Sequence, residues 1–225
     1  MGRQAARAAG VAIAGALAAG AVAMPAAASP RERALDYLSA RQDHSTGMIG
    51  PAAGRHADTS WTAMAVAGAR EDAARWAPAA GAPTLADAVA TLTPTTVADV
   101  LRVAVARRAA GRVDDQLAAQ VAAQQSVDGS FGGGMLTTAW GLMALRAVGR
   151  RPDDPAVGAA VGALMRMRSP DGGWTTTPGA GPSDVIGTAT AIQALRAARC
   201  RCRPASCCAL TRWSNSALAD ASDST

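Results

Sequence analysis

The sequence predicts an all-α protein made of stacked helical hairpins, and two observations carry that prediction. The first is an internal repeat: Asp128-Gly129-Ser130-Phe131-Gly132 returns 43 residues later as Asp171-Gly172-Gly173-Trp174. Each copy lies between two stretches of helical periodicity, and a period of that size marks an array of two-helix units. The second is composition. Alanine dominates the apolar residues, and it favours helix because it loses no side-chain entropy there. A chain of 225 residues has room for one large domain or two small ones.

Residues 1–28 read as a secretory signal peptide. Arg3 and Arg7 form a positive start, Ala8 to Met24 is small and apolar, and Ala26-Ala27-Ala28 offers a cleavage site before Ser29. At 17 residues of mostly Ala and Gly, the apolar stretch is short and weak for a permanent span. The expectation is a secreted or extracytoplasmic protein that touches a membrane only through this segment. Removing it leaves 20 Arg against 17 acids, a formal +3. The arginines are scattered, without a basic run or interleaved aromatics, which argues against nucleic acid as a partner.

Residues 29–199 form the repeat domain. In the first unit Ala34 to Gln42 is amphipathic, and Gly47-Met48-Ile49-Gly50 aligns with Gly129 to Gly132. Ser60 to Val66 then aligns with Ala139 to Leu145, so Trp61 coincides with Trp140. The second unit is degenerate. Thr84 caps a helix with Asp87 three residues on, and Thr93-Pro94 opens another, because proline tolerates a first helical turn. Val100, Leu101, Val103, Ala104 and Val105 carry that helix, and Gly111 ends it.

In the third unit the helices are Gln116 to Gln125 and Thr137 to Ala147. In the fourth they are Ala156 to Arg168 and Gly187 to Ala197. Thr138 pairs with Thr188 and Leu142 with Ile192, which places seven extra residues in the last turn, within Pro178 to Pro182. In each turn Asp128 or Asp171 accepts backbone N–H bonds, and the next glycine takes positive φ. Phe131 and Trp174 fold down over the helix ends. One hairpin cannot bury its own apolar face, so the units must stack.

Gln125 to Phe131 spells Gln-Ser-Val-Asp-Gly-Ser-Phe, and Arg168 to Trp174 repeats the pattern with Arg in place of Gln; residues 42–50 follow it loosely. The pattern resembles the repeat of squalene-hopene cyclases and protein prenyltransferase β-subunits, over about residues 31–198. The resemblance implies an α/α toroid, with inner and outer helices alternating around a central cavity. About four hairpins would make an open, incomplete arc whose exposed last face invites self-association. Secreted members of related toroids bind cofactors such as cobalamin in the groove, so the resemblance implies a small ligand or a surface partner. No residue here singles out a cofactor.

The enzyme signatures of that family do not carry over. Its acid motif is Asp-x-Asp-Asp, and the nearest matches are Arg112-Val113-Asp114-Asp115 and Arg151-Pro152-Asp153-Asp154. Arginine in the first place would hold the acids ionised, opposite to what protonating an alkene needs. A diphosphate motif Asp-Asp-x-x-Asp fails at Ala118 and Val157. If the chain is an enzyme on an isoprenoid, Asp114, Asp115, Asp153 and Asp154 are its candidate acids; otherwise they are turns or helix caps. Trp61 and Trp140 are groove candidates, since a cyclase uses aromatic walls for cation–π contact, though they equally suit packing.

His44 and His56 are the two histidines, and every cysteine lies beyond Arg199, so no zinc-ligand set is expected. His56, Asp58 and Ser60 have catalytic residue types, but nothing in the sequence orients them as a triad. The sequence therefore points to a secreted, non-catalytic module that binds a ligand or a surface. An isoprenoid enzyme and a purely structural arc are the alternatives.

Residues 200–225 break the repeat. All four cysteines fall between Cys200 and Cys208, with adjacent Cys207 and Cys208 making poor zinc spacing. Disulfides in an oxidising compartment are one reading. A reading-frame shift near Ala198 in GC-rich DNA is the favoured expectation, because it accounts for the sudden Arg, Cys and Pro bias.

Overall fold

A computed structural model of the chain describes residues 28–177 and 181–199. The signal segment up to Ala27 and the cysteine tail fall outside these residues. The described residues form eight helices and no strand: α1 Pro30–Ser39, α2 Arg55–Gly68, α3 Leu85–Ala90, α4 Val97–Ala109, α5 Asp115–Ala123, α6 Met135–Ala147, α7 Pro155–Arg166 and α8 Val185–Arg199. The protein is all-α, as its periodicity and alanine content require.

The helix starts follow from short polar side chains. Ser29 and Glu32 form a reciprocal capping box on α1, and Thr84 and Asp87 form another on α3. One predicted start is corrected. Thr93-Pro94 does not open a helix; α4 begins at Val97, and Thr96 caps it by accepting the Asp99 N–H at 3.2 Å. A hydroxyl that satisfies an orphan N–H outweighs the tolerance of proline for a first turn. At the other end Gly111, at φ 69°, lets Arg112 donate to the Arg107 carbonyl and Gly111 to Arg108, closing the last carbonyls of α4.

The helices form two layers. In one row α2, α4, α6 and α8 pack each against the next. In the other, α3 lies against α2 and α4, α5 against α4 and α6, and α7 against α6 and α8. Every second helix of the chain thus belongs to the same layer, as stacked hairpins demand. The buried residues form one continuous core running from Ile49 to Ala198. Because α4 and α6 have neighbours on both flanks, Leu101, Val103, Ala104, Leu142, Ala144 and Leu145 are all buried. Helix α1 contributes no fully buried residue; Leu35 packs on the core, and Arg31 bonds the Ala69 carbonyl and Glu71.

The turns after α1, α5 and α7 share one design. Gln125 donates to the Gly129 carbonyl within its own turn at 3.2 Å and to the Ala156 carbonyl at the start of α7 at 2.9 Å. Gln42 does the same with Gly47 at 2.9 Å and Trp76 at 3.4 Å. Arg168 takes the glutamine position in the last turn and donates to Gly172 at 2.6 Å. Gly129, at φ 85°, is also a point of close approach: a Cβ there would stand 2.6 Å from the carbonyl carbon of Ala159 in α7. Ile49, Phe131 and Trp174 fold inward and are buried at equivalent places.

Candidate functional site

A threonine near the start of α2, α6 and α8 fixes the register of that layer. Thr138 Oγ1 accepts the Phe131 N–H at 3.1 Å, Thr59 accepts that of Ile49 at 3.0 Å, and Thr188 accepts that of Trp174 at 3.0 Å. The N–H of the buried turn residue, which burial removes from water, is thereby satisfied each time. Two residues past each threonine come Trp61, Trp140 and Thr190.

Helix α4 has no such threonine, but its cap gives the register. Trp140 stands six residues after the α6 cap Gly134, and Arg102 stands six after the α4 cap Thr96. Arg102 therefore holds the place in α4 that Trp140 holds in α6. The tryptophans meet: their ring centroids are 5.4 Å apart with planes at 81°, an edge-to-face contact. Trp61 remains 51% exposed, so the pair offers an aromatic face to its surroundings. Arg102 forms an ion pair with Asp99 one turn earlier, and its side chain is only 20% exposed. Its Nε is buried with no hydrogen-bond partner among the described residues. Sequence reasoning missed Arg102; the available signal was one arginine interrupting the apolar run of α4.

The candidate acids sit elsewhere. Asp114 caps α5, accepting the Leu117 N–H at 2.7 Å, and pairs with Arg107 at 3.2 Å. Asp115 is the first residue of α5 and is exposed. Asp154 caps α7, accepting the Ala156 N–H at 2.9 Å, and pairs with Arg150 at 3.3 Å. Asp153 pairs with Arg151 on the surface. All four stand at the entrances of α5 and α7, the layer that does not carry the tryptophans. His56 and Ser60 meet only through the backbone: the Ser60 hydroxyl donates to the His56 carbonyl at 2.8 Å, which is helix geometry and not a triad. His44 and His56 are exposed.

The turn residues carry strongly ionised carboxylates. Asp128 is held below the usual carboxylate range by the Ser130 N–H and hydroxyl, and Asp171 by the N–H groups of Ser183 and Gly173. Asp184, which accepts N–H bonds from Gly187 and Thr176, is lowered to about 2. Asp43 is lowered as well, first by the Ser45 hydroxyl and then by the Thr46 and Ser45 N–H groups. Carboxylates stabilised in this way are acceptors that shape turns; they are poor proton donors near neutral pH. Among the described residues no group of three or more His, Cys, Asp or Glu side chains could hold a metal ion. No described helix is long and apolar enough to cross a membrane.

The chain matches no family model, no curated protein and no solved structure at a significant level.

Proposed function

We propose that this chain is an exported, non-catalytic binding module, built as an α/α arc like the repeats it resembles. It would contact a ligand or a partner surface through the layer that carries Trp61, Arg102 and Trp140. The observation that carries the reading is the edge-to-face contact of half-exposed Trp61 with Trp140, in the layer that also carries Arg102 and its unpartnered Nε. Aromatic side chains with arginine supply large contact area at small entropic cost, and they dominate recognition surfaces. The placement of Asp114, Asp115, Asp153 and Asp154 supports the non-catalytic part, because each is occupied as a cap, an ion pair or a solvated helix start.

The test is titration of the purified full chain with a long-chain isoprenoid, an isoprenyl diphosphate and cobalamin. Tryptophan fluorescence reports binding, and mass spectrometry reports turnover. The expected result is saturable binding without turnover, weakened at least tenfold in Trp61→Ala. Turnover that disappears in Asp114→Asn/Asp115→Asn or Asp153→Asn/Asp154→Asn would replace this reading with the enzymatic one.

A further inference from the structure

We infer that the free flank of α8 is a self-complementary surface on which a second copy of this chain docks, with its own α8 running antiparallel. Helices α4 and α6 are covered on both flanks by their row neighbours, whereas among the described residues α8 is covered on one. Gly187, Ala191, Ala194 and Ala198 form its buried stripe. The opposite stripe, at three- and four-residue steps, reads Val185, Ala189, Ile192, Arg196 and Arg199. Val185 is 84% exposed and Ile192 43%. Beside Ile192 lies a shallow cleft of about 230 Å³, bounded by Leu195, Arg196 and Arg199.

Charge decides which occupant fits. Asp184 at the start of α8 is firmly ionised, and Arg196 and Arg199 stand in its last turn. A parallel copy would set arginine against arginine. An antiparallel copy, with its two-fold axis at Ile192, sets Ile192 against its own equivalent and brings Arg199 beside the start of the second helix. There it meets the Asp184 carboxylate and the exposed Val185, and Val185 of the second copy faces the cleft. The helix dipoles also oppose, which favours this direction. Such a contact is isologous and closes at two copies. A helix of 15 residues is about 22 Å long at 1.5 Å per residue, and one helix pair buries less than the ~1,200 Å² of a stable standard interface. The dimer is therefore weak and depends on concentration.

Sedimentation equilibrium of the full chain, with and without reductant, tests this. The expected mass rises from one chain toward two between roughly 1 and 200 µM, as befits a weak, transient contact. Ile192→Glu and, separately, Arg199→Glu shift the midpoint at least tenfold upward, while circular dichroism leaves helicity unchanged. A chain that stays monomeric up to the highest concentration overturns the proposal, as would be found if another segment covered α8. So does a dimer indifferent to both substitutions. Growth beyond two copies shows head-to-tail stacking instead, and loss of the dimer in reductant assigns it to the cysteines of residues 200–208; either result also rules the proposal out.

Discussion

Gly141 lies in the interior of α6 beneath the Phe131 ring, and replacing it with alanine sets two effects against each other. Glycine inside a helix is intrinsically less favourable than alanine by about 0.8–1.0 kcal/mol, so Gly141→Ala gains that much from the backbone. A Cβ at this position, however, would stand 2.6 Å from Cε2 of Phe131, with Cγ and Cδ2 nearer still. Carbon atoms rest at about 3.5–4.0 Å, so the ring must retreat by roughly 1.5 Å. It has nowhere to go. Phe131 is fully buried, its N–H is bonded to Thr138, and its carbonyl accepts the Thr137 hydroxyl at 2.5 Å. Overpacking of this kind costs about 1–3 kcal/mol, and a displacement this large belongs at the upper end.

The net effect is a loss of about 1–2 kcal/mol, or roughly 2–8 °C in Tm for a chain of this size. Gly158 in α7 is the internal control, because a Cβ there meets nothing within 4 Å. Gly158→Ala should raise Tm by about 2–4 °C from helix propensity alone. Thermal melts followed by circular dichroism measure both. A double-mutant cycle isolates the cause: in a Phe131→Leu background, where the ring is gone, Gly141→Ala should become neutral or stabilising. An equal loss in both backgrounds, or a higher Tm for Gly141→Ala alone, would refute the packing argument.

Three further outcomes are expected. Thr138→Val leaves the buried Phe131 N–H without an acceptor and should cost about 1–3 kcal/mol in urea unfolding, with Thr188→Val smaller because Thr188 is only half-buried. Asp114→Ala and Asp154→Ala each remove a helix cap and should cost about 0.5–2 kcal/mol, whereas Asp115→Asn and Asp153→Asn should stay within about 0.5 kcal/mol of the parent; four equal effects would contradict the cap assignment. Stability should be level from pH 7 to 5 and fall between about pH 4 and 2. The sign follows from Asp128, Asp171 and Asp184, whose folded pKa values lie below their unfolded ones. Their contribution is complete above the unfolded value and is lost as acid reaches the folded one. Asp184→Asn should flatten part of that slope, and an unchanged acid profile in this variant would remove Asp184 from the account.

The sequence shows its all-α class plainly because the first, third and fourth hairpins repeat one chemical solution at their turns. Glutamine or arginine ties the turn closed, aspartate collects the N–H groups, glycine takes positive φ, and an apolar side chain drops inward. Gln42 reads as a loose match because Met48 and Ile49 stand where Ser130 and Phe131 do. Yet its amide bonds the Gly47 and Trp76 carbonyls just as Gln125 bonds Gly129 and Ala156. What those turns need is one donor and one apolar side chain, which a residue pattern describes only in part. The start of α4 was illegible for a related reason. Proline at 94 and threonine at 96 both suit a helix entrance, and only the hydrogen bond to Asp99 separates them.

The candidate surface was half legible, and the missing half shows where specificity would reside. Trp61 and Trp140 align in sequence because the turns before them align. Their contact across the row could not be read, since it depends on where α4 places them. The second unit has no threonine to mark its register, so Arg102 carries no repeat label. The hydrogen bonds that build the layer use the threonine position, and the position two residues later is left free to vary: Trp61, Arg102, Trp140, Thr190. Structure constrains the first position through a buried N–H, while nothing in the packing requires an arginine with an unpartnered Nε at the second. Arg102→Met combined with Asp99→Asn preserves the aliphatic stem, keeps an acceptor for the Thr96 hydroxyl and removes both charges together, so the pair of substitutions should be neutral or stabilising, as replacing a whole partly buried ion pair often is. A loss of more than about 2 kcal/mol on that pair of substitutions would show instead that Arg102 holds the layer together, leaving Trp61 and Trp140 as packing residues.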